Sequence, residues 1–415
     1  MNRAIVVLAL VFAGCGARSG LSGGDAPADD AAVDGGADVA LDGPPIVTEG
    51  CRSNGLGSPL RPAPAVDYRL VESMPLPDSA SGVAIGDVTG DGRADVVGVS
   101  ETGSWVLPQR ADGGFGAPLR VGSGGHALAL ITLGGRPAFV VANRSALVTL
   151  RIGATGAIEV VNRTKAADPN ELTVGDVDGD GLDDVVVSIR DSLRITTFFG
   201  DATGAFPRQD SVSFTGHDPR IAVQGVVLAD IDSTPGLELA VLVNDPYLGV
   251  LHRSAAGAWD LARSTHASTP ASYRALNVAD MDGDGLIDLV VGVRTLELYG
   301  PGALVVRQQP SGGFAELPWA PSRRPRDTLA IAARDVDGDG QADFATVVRD
   351  EDGVNTALSL FFGRGSSRIA GPSVPLGREV DSSDVVVGDI DCDGCPDVIV
   401  DRARVFRGVG CGARR

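Results

Sequence analysis

One unit recurs along this chain, and it constrains the fold more than any other feature. Each copy runs from apolar residues through a small residue and an Asp-rich loop into a run of β-branched residues. Four short strands in each repeat of about 50 residues are typical of a β-propeller blade. Six copies are recognised by a leading aspartate, and these are Asp87, Asp176, Asp230, Asp280, Asp335 and Asp389.

A seventh copy lies in the 89-residue interval between Asp87 and Asp176, which is almost two units long. Residues 127–142 keep the apolar–turn–apolar profile around Leu133 but contain no acidic residue. We interpret this segment as a decayed unit. The residues therefore predict an all-β, seven-bladed β-propeller with four-stranded blades over residues 67–411.

The two ends of the repeat region predict that the ring closes. The last unit supplies three strands, while residues 68–74 precede the first unit and have the pattern of a fourth strand. Pairing of this N-terminal strand with the last blade would remove two open sheet edges. An open solenoid and two packed sandwiches are the alternatives.

Composition narrows the possible functions. The chain has 415 residues, 56 of them glycine, and a formal net charge of −19. Glycine at that density disfavours helix interiors, whereas a hydrophobic share of 43% is too high for a disordered acidic chain. The acidic balance argues against binding to nucleic acid, which needs a basic surface.

Four of the Asp loops have the full pattern D-x-D-x-D-G-x-x-D, with four carboxylates inside nine residues. Such carboxylates repel one another unless a cation lies among them. Positions 1, 3 and 5 are expected to project inward, position 7 to add a backbone carbonyl and position 9 to complete a site for Ca²⁺, which suits flexible oxygen ligands better than Mg²⁺ does. The predicted ligands are Asp176, Asp178, Asp180, Asp184, Asp280, Asp282, Asp284, Asp288, Asp335, Asp337, Asp339, Asp343, Asp389, Asp391, Asp393 and Asp397.

Two other interpretations compete with a calcium loop. An EF-hand needs a glutamate at position 12 and flanking helices, but this chain has valine or threonine there and β-branched runs on either side. A hairpin turn without metal is the second interpretation, because Asp-Gly is a common turn signal. Four regular copies of the full pattern favour the cation.

With these loops, the chain resembles the FG-GAP/VCBS repeat family of calcium-loop β-propellers, whose best-known domain is the integrin alpha-subunit head. The resemblance covers about residues 67–411. It implies that each loop joins the first and second strands of its blade and that the loop carboxylates bind Ca²⁺.

Three units depart from the family pattern. The first loop has Thr89 at position 3, which implies a weaker site. Its acidic ligands are Asp87, Asp91 and Asp95. The loop that begins at Asp230 is doubtful as a site, and the unit near Leu133 is expected to bind nothing. About four to five Ca²⁺ ions are therefore expected.

Residues 1–14 have the form of a secretory signal peptide, with an apolar run too short to span a membrane. The end of this run resembles a bacterial lipobox whose Cys15 becomes lipidated. Phe12 stands where the family usually has leucine, which leaves ordinary signal cleavage open, and an uncleaved anchor is the third alternative. A flexible acidic linker over 15–66 then precedes the propeller. Gly16 favours the bacterial outer membrane by the same resemblance, and secretion into the cell envelope is the other outcome.

Four further cysteines allow three disulfide pairings in an oxidising compartment. Cys51 and Cys411 flank the repeat region, so a bond between them would latch the ring. Cys392 and Cys395 occupy positions 4 and 7 of the last loop. A redox Cys-x-x-Cys motif is the alternative, but such motifs begin helices in a βαβ context. We expect structural disulfides.

Most units have an aromatic–Gly turn before their fourth strand, for example FFG from Phe198. Loops between blades are expected at the end of the ring opposite the Asp loops and these turns. These loops are rich in arginine and aromatic residues, the usual anchors of recognition surfaces. Solubility is the other explanation for their arginines. The candidate residues of this ligand face are Trp319, Arg324, Tyr273, Arg274 and His266.

No catalytic motif is visible, because none of the four histidines lies in a nucleophile-elbow or zinc-helix motif. We therefore expect a calcium-stabilised, surface-tethered binding or adhesion module of the bacterial cell envelope, monomeric and without catalysis. Its partner would be a glycan or an envelope or extracellular protein, and it would reach the membrane only through its lipid anchor. The alternative is a propeller enzyme acting on extracellular polysaccharide, such as a lyase with His266 as base and Arg274 or Arg324 as charge neutraliser.

Overall fold

The structure is a computed structural model. It describes residues 69–409, apart from residues 79, 215–221, 232–235, 244–246, 256, 267–271, 295–302, 320–326, 337–340, 350–354, 365–366, 379–383, 392–394 and 401–403. The predicted signal peptide and linker lie outside the described residues. So do four of the five cysteines, which are Cys15, Cys51, Cys392 and Cys411. Lipidation and disulfide pairing therefore stay predictions.

The described residues form 28 β-strands arranged in antiparallel blades of four. No helix among them is long and apolar enough to cross a membrane. Blade 1 contains β2 (Gly82–Gly86), β3 (Asp95–Val99), β4 (Ser104–Leu107) and β5 (Leu119–Val121). Blade 2 contains β6 (Ala127–Leu133), β7 (Arg136–Asn143), β8 (Ala146–Ile152) and β9 (Ile158–Lys165). Blade 3 contains β10 (Pro169–Gly175), β11 (Asp184–Ile189), β12 (Arg194–Phe199) and β13 (Arg208–Ser213).

The next three blades repeat this order of strands. Blade 4 contains β14 (Val223–Ala229), β15 (Glu238–Val243), β16 (Tyr247–Arg253) and β17 (Trp259–His266). Blade 5 contains β18 (Ser272–Ala279), β19 (Asp288–Arg294), β20 (Ala303–Gln308) and β21 (Phe314–Trp319). Blade 6 contains β22 (Asp327–Arg334), β23 (Asp343–Arg349), β24 (Asn355–Arg364) and β25 (Ser367–Arg378). A single bridge between Arg294 and Asp327 links blades 5 and 6.

Blade 7 combines the last strands of the chain with the first one. It contains β26 (Val385–Gly388), β27 (Asp397–Val400), β28 (Arg404–Val409) and β1 (Arg69–Pro75). Strand β1 pairs antiparallel with β28, from Arg69 opposite Val409 to Pro75 opposite Arg404. The outer edge of β28 is therefore covered by the first described strand.

The innermost strands contact one another in the cyclic order β2, β6, β10, β14, β18, β22, β26 and back to β2. A hydrogen bond from backbone to side chain links the first and last blades, because Val83 N donates to Asp384 Oδ2 at 3.1 Å. These contacts form a closed ring. The prediction of a seven-bladed β-propeller is confirmed.

The apolar core of the described residues is divided into seven clusters, one in each space between neighbouring blades. Successive residues of a strand point to opposite faces of the sheet, so the second and third strands of each blade contribute to two clusters. Val96 packs between blades 7 and 1, whereas Val97 packs between blades 1 and 2. This burial of both faces explains why second strands such as β11 and β15 contain continuous apolar runs that do not alternate with polar residues.

Blade 2 replaces the Asp loop with a two-residue hairpin turn. Leu133 pairs with Arg136, and the residues between them, Gly134 and Gly135, have φ values of 58° and 73°. Positive φ at both central residues defines a type I′ turn, which strongly prefers glycine. The decayed copy predicted near Leu133 is therefore a genuine blade whose first loop has become a tight turn.

Removal of β1 is expected to destabilise the ring. A chain that begins at residue 76 would lose the six paired positions between β1 and β28 and would expose a sheet edge. We expect its free energy of unfolding to fall by on the order of a few kcal/mol, because each hydrogen bond contributes about 1 kcal/mol net. Denaturant titration measures this fall. A chain that begins at residue 67 keeps β1 and is the matched control; equal stability of the two chains would contradict the expectation.

Candidate metal centres

The Asp loops connect the first and second strands of their blades. Asp176 directly follows β10, and Asp184 is the first residue of β11. The same placement recurs in blades 1, 5, 6 and 7, as the family resemblance implied. Three predicted ligands, Asp337, Asp339 and Asp393, lie outside the described residues.

The position-1 carboxylate organises the loop backbone. Asp176 Oδ1 accepts hydrogen bonds from Gly179 N at 2.7 Å and Asp180 N at 3.1 Å, and its Oδ2 accepts from Gly181 N at 2.8 Å. Both glycines have positive φ, 78° and 84°, which explains why positions 4 and 6 of the loop are glycine. The loops that begin at Asp87 and Asp280 repeat these bonds.

The position-9 carboxylate joins the loop to the third strand, and we call this contact the position-9 clamp. Asp184 is fully buried; its Oδ2 accepts from Val177 N at 3.0 Å and its Oδ1 from Gly200 N at 2.9 Å. Gly200 follows β12 at the turn toward the fourth strand, so the Asp loops and these turns lie at one end of the ring. Equivalent clamps are made by Asp95, Asp288, Asp343 and Asp397.

Position 9 was predicted from the sequence only as a metal ligand, and its structural role was not foreseen. A signal for it was present, because an acid stands there even in the two loops that depart elsewhere. The first loop keeps Asp95 although position 3 is Thr89. In blade 4, Glu238 occupies position 9 and its Oε2 accepts from Ile231 N at 2.8 Å.

Burial raises the pKa of the clamp aspartates. The pKa of Asp184 rises to about 7, mainly because the buried carboxylate loses solvation, with further contributions from the like charges of Asp178 and Asp180. Burial likewise raises the pKa of Asp288 to about 7 and that of Asp397 to about 8, again with like-charge contributions. A divalent cation among these oxygens would remove the cost of ionising them.

Three loops bring carboxylates together tightly enough to hold an ion. In each, one oxygen from positions 1, 3 and 9 lies within 4.8 Å of the other two. These triads are Asp176, Asp178 and Asp184; Asp280, Asp282 and Asp288; and Asp389, Asp391 and Asp397. All donors are hard oxygen atoms, as Ca²⁺ prefers. In addition, Asp391 Oδ1 is buried without a hydrogen-bond partner, so the triads fit a bound cation.

Position 5 behaves differently from the inward projection that we expected. Asp180 Oδ1 accepts a hydrogen bond from Leu182 N at 2.9 Å, and Asp284 Oδ1 accepts from Leu286 N at the same distance. Neither aspartate belongs to the triads of the described residues. One oxygen of each, Oδ1, instead supports the loop backbone.

The first loop lacks a triad among the described residues, although its backbone closes as in the complete loops. Thr89 Oγ1 is buried without a hydrogen-bond partner, so a neutral oxygen occupies position 3. Asp91 forms an ion pair with Arg93 of the same loop. These features agree with a weaker site in this blade.

Three arginines contact the triads, and none of them was predicted from the sequence as a site residue. Each forms an ion pair with a position-3 aspartate: Arg208 with Asp178, Arg307 with Asp282 and Arg407 with Asp391. They come from the third or fourth strand of the same blade. Because these strands are distant in sequence from the loops, their proximity is set by the fold.

The predicted ligand face is corrected at one residue. Tyr273 was expected in an exposed loop over residues 264–274, but β17 continues to His266 and β18 begins at Ser272. Tyr273 is therefore only 1% exposed and packs in the core between blades 4 and 5. The prediction that it anchors a ligand is wrong.

The other predicted ligand-face residues remain candidates. Trp319 and His266 end the fourth strands of blades 5 and 4, and Arg274 lies near the start of β18, so their backbones lie toward the end opposite the Asp loops. Their side chains, like Arg324 as a whole, lie outside the description.

Comparison with known proteins identifies the repeat. The family model of the FG-GAP-like repeat matches residues 335–400, which span the Asp loops of blades 6 and 7. A search of the curated proteins finds no match. The matched repeat and the seven four-stranded blades agree with one another.

Without metal, the protein is expected to lose stability as the pH rises from 5 to 8. The folded-state pKa values of Asp184, Asp288 and Asp397 are about 7, 7 and 8, above the usual 3.8. The folded chain therefore holds protons that the unfolded chain has released, and the free energy of unfolding falls as the pH passes through this range. Thermal melts in EDTA at several pH values measure the effect.

The matched variants are Asp397→Asn, which removes one of these carboxylates, and Asp210→Asn on β13, which is exposed and away from the loops. We expect a shallower dependence of melting temperature on pH in the first and an unchanged one in the second. A melting temperature that stays constant or rises from pH 5 to 8 would contradict the expectation.

Proposed function

We propose that the chain, an FG-GAP-repeat β-propeller, is a calcium-stabilised binding module tethered at the bacterial cell envelope and without catalytic activity. The observation that carries this proposal is the recurrence of the carboxylate triad at equivalent places in blades 3, 5 and 7. Repetition of one oxygen cage around a ring is typical of a structural ion. It would be unusual for a single catalytic centre.

Calcium would be held by the triad carboxylates, with the position-7 carbonyl as a further oxygen. The positive charge of the ion would offset the negative charge of the buried clamp aspartates. Asp184, Asp288 and Asp397 would then be ionised in the folded state while keeping their hydrogen bonds to the loop and to the end of the third strand. In this way the metal would hold together the two segments that meet at one end of each blade.

A tether through Cys15 is proposed from the sequence of residues 1–66. The apolar run that ends in a lipobox-like segment supports lipidation, and the acidic, glycine-rich stretch that follows supports a linker. The ring would then be held near a bacterial outer membrane without entering it. Secretion without lipid is the other possibility for the same signal.

The partner is proposed to be a glycan or an envelope or extracellular protein. In a propeller, loops at one end can vary while the blades keep their packing, so a rigid ring presents a composite surface. Trp319, Arg274, Arg324 and His266 remain the candidate contacts at the end opposite the Asp loops. Aromatic and arginine side chains are the usual energetic anchors of such surfaces.

Calcium is expected to raise the melting temperature and to bind at about four to five sites per chain. Ligands that bind only the folded state stabilise it by mass action. Thermal melts in EDTA and in Ca²⁺, together with equilibrium dialysis and metal analysis, measure both quantities. Asp178→Asn and Asp282→Asn should each remove about one bound ion.

Asp210→Asn serves as the matched control for these variants, because it removes an exposed carboxylate outside the loops. Identical melting temperatures of the wild-type chain in EDTA and Ca²⁺ would contradict the proposed stabilising role of the metal. Loss of ions in the control as well would show that the binding is diffuse and not located in the triads.

Binding of glycans or envelope proteins is expected to require the folded, calcium-loaded ring. A purified chain without its signal peptide would be tested against a glycan array and a fractionated bacterial envelope extract, with Ca²⁺ and with EDTA. We expect binding that is lost in EDTA and weakened at least several-fold by Arg324→Ala, and not by Arg151→Ala on the outer part of blade 2. Turnover of uronate polymers that disappears in His266→Ala would instead establish the lyase.

A further inference from the structure

Arg307 and Arg407 occupy the same place in blades 5 and 7. Each directly precedes the residue whose N–H donates to the position-9 aspartate, which is Gln308 in blade 5 and Gly408 in blade 7. In blade 3 that place is held by Phe199. Blades 5 and 7 therefore both place an arginine near the end of the third strand, beside the Asp loop, where blade 3 has a phenylalanine.

In blade 5 the guanidinium lies between two loop carboxylates. Arg307 forms an ion pair with Asp282 at position 3, and its Nη2 also lies 3.7 Å from Asp284 Oδ2 at position 5. The side chain is only 30% exposed, and its Nε is buried without a hydrogen-bond partner. The arginine thus offsets the negative charge of the loop, although its Nε–H makes no hydrogen bond.

In blade 7 the guanidinium is anchored from outside the loop. Arg407 Nη2 donates to Gly113 O of blade 1 at 2.7 Å, and the guanidinium lies 5.5 Å from the ring centre of Phe115. Its Nη1 pairs with Asp391 and lies 3.7 Å from Asp397 Oδ2. Asp391 Oδ1 nevertheless has no hydrogen-bond partner. One oxygen of the position-3 carboxylate is engaged, and the other is left for a second cation.

In blade 3 the arginine that contacts the position-3 aspartate comes from the fourth strand. Arg208 begins the fourth strand, stacks 3.6 Å from the ring centre of Phe199 and forms an ion pair with Asp178. Phe199, which stands at the end of the third strand where blades 5 and 7 have arginine, therefore supports another arginine in the same role. This side chain is 58% exposed, so the interaction is weaker than the buried ones.

We propose that Arg307, Arg407 and Arg208 are resident counter-ions that occupy the position-3 carboxylates before a metal binds and compete with Ca²⁺ for them. This inference rests on the calcium role proposed above. It states that the affinity of each loop is set by the guanidinium beside it as well as by the carboxylates.

The charge of the guanidinium has opposite effects on the metal-free loop and on Ca²⁺ binding. A fixed positive charge beside the carboxylates lowers their repulsion and stabilises the metal-free loop, but the same charge repels an incoming divalent cation. The loop is thereby folded in both states and binds Ca²⁺ weakly, as in extracellular modules whose dissociation constants are on the order of 10⁻⁴–10⁻³ M. Removal of the guanidinium should separate the two effects.

The test compares wild type with Arg307→Gln, Arg407→Gln and the double variant. We expect each substitution to lower the melting temperature in EDTA and to increase Ca²⁺ affinity at one site roughly tenfold, measured by isothermal titration calorimetry. Arg307→Lys keeps the charge and should retain most of the competition. Arg151→Gln is the matched control, because it removes an exposed ion pair with Glu159 in blade 2.

Arg208→Gln keeps the test decisive if the buried variants fail to fold, because its side chain is exposed and its loss should be tolerated. Unchanged or weaker Ca²⁺ affinity in the folded glutamine variants would overturn the competition. A wild-type chain that does not bind Ca²⁺ would overturn the proposed calcium role instead. In that case a lower melting temperature of the variants in EDTA would still support the counter-ion role, and an unchanged one would remove it.

Discussion

The position-9 clamp is the contact on which the Asp loops and their surroundings depend. In blade 3, one buried carboxylate accepts a hydrogen bond from the second residue of its loop and another from the residue that follows the third strand. It therefore satisfies backbone donors that would otherwise be buried without partners, which proteins rarely tolerate. Five blades of the described chain use aspartate for this contact.

The clamp also places a carboxylate where its ionisation is unfavourable, and the rest of the site reduces that cost. A carboxylate at the base of a loop with several other acids is desolvated and repelled at once, which raises its pKa. Protons, a divalent cation or a guanidinium can each relieve that cost. The neighbouring arginines supply part of the relief in the protein itself, and the proposed calcium ions would supply the remainder. Stability, pH response and metal affinity are thus consequences of one arrangement.

Much of this arrangement was predictable. The number of blades followed from the spacing of the leading aspartates and from the apolar profile around Leu133, because a blade is a local unit with a strong period. The sharp turn of the loops was predictable for the same reason, since glycine at position 6 favours the positive φ found there. The errors arose where tertiary packing decides. Tyr273 became a core residue because β18 starts earlier than the loop composition indicated, and the arginines approach the loops only after the third and fourth strands fold back.

The sequence by itself determined the repeat, the number of copies, the oxygen-rich loops and the overall acidity, because these features depend only on residue types and their short spacings. Only the tertiary structure decided which oxygens meet. It joined positions 1, 3 and 9, directed position 5 to the backbone and placed Arg307 and Arg407 against position 3. It also set β1 beside β28. The contacts of Arg307 and Arg407 with the loops and of β1 with β28 join segments that are separated along the chain. Their proximity depends on how the strands pack, which no local spacing records.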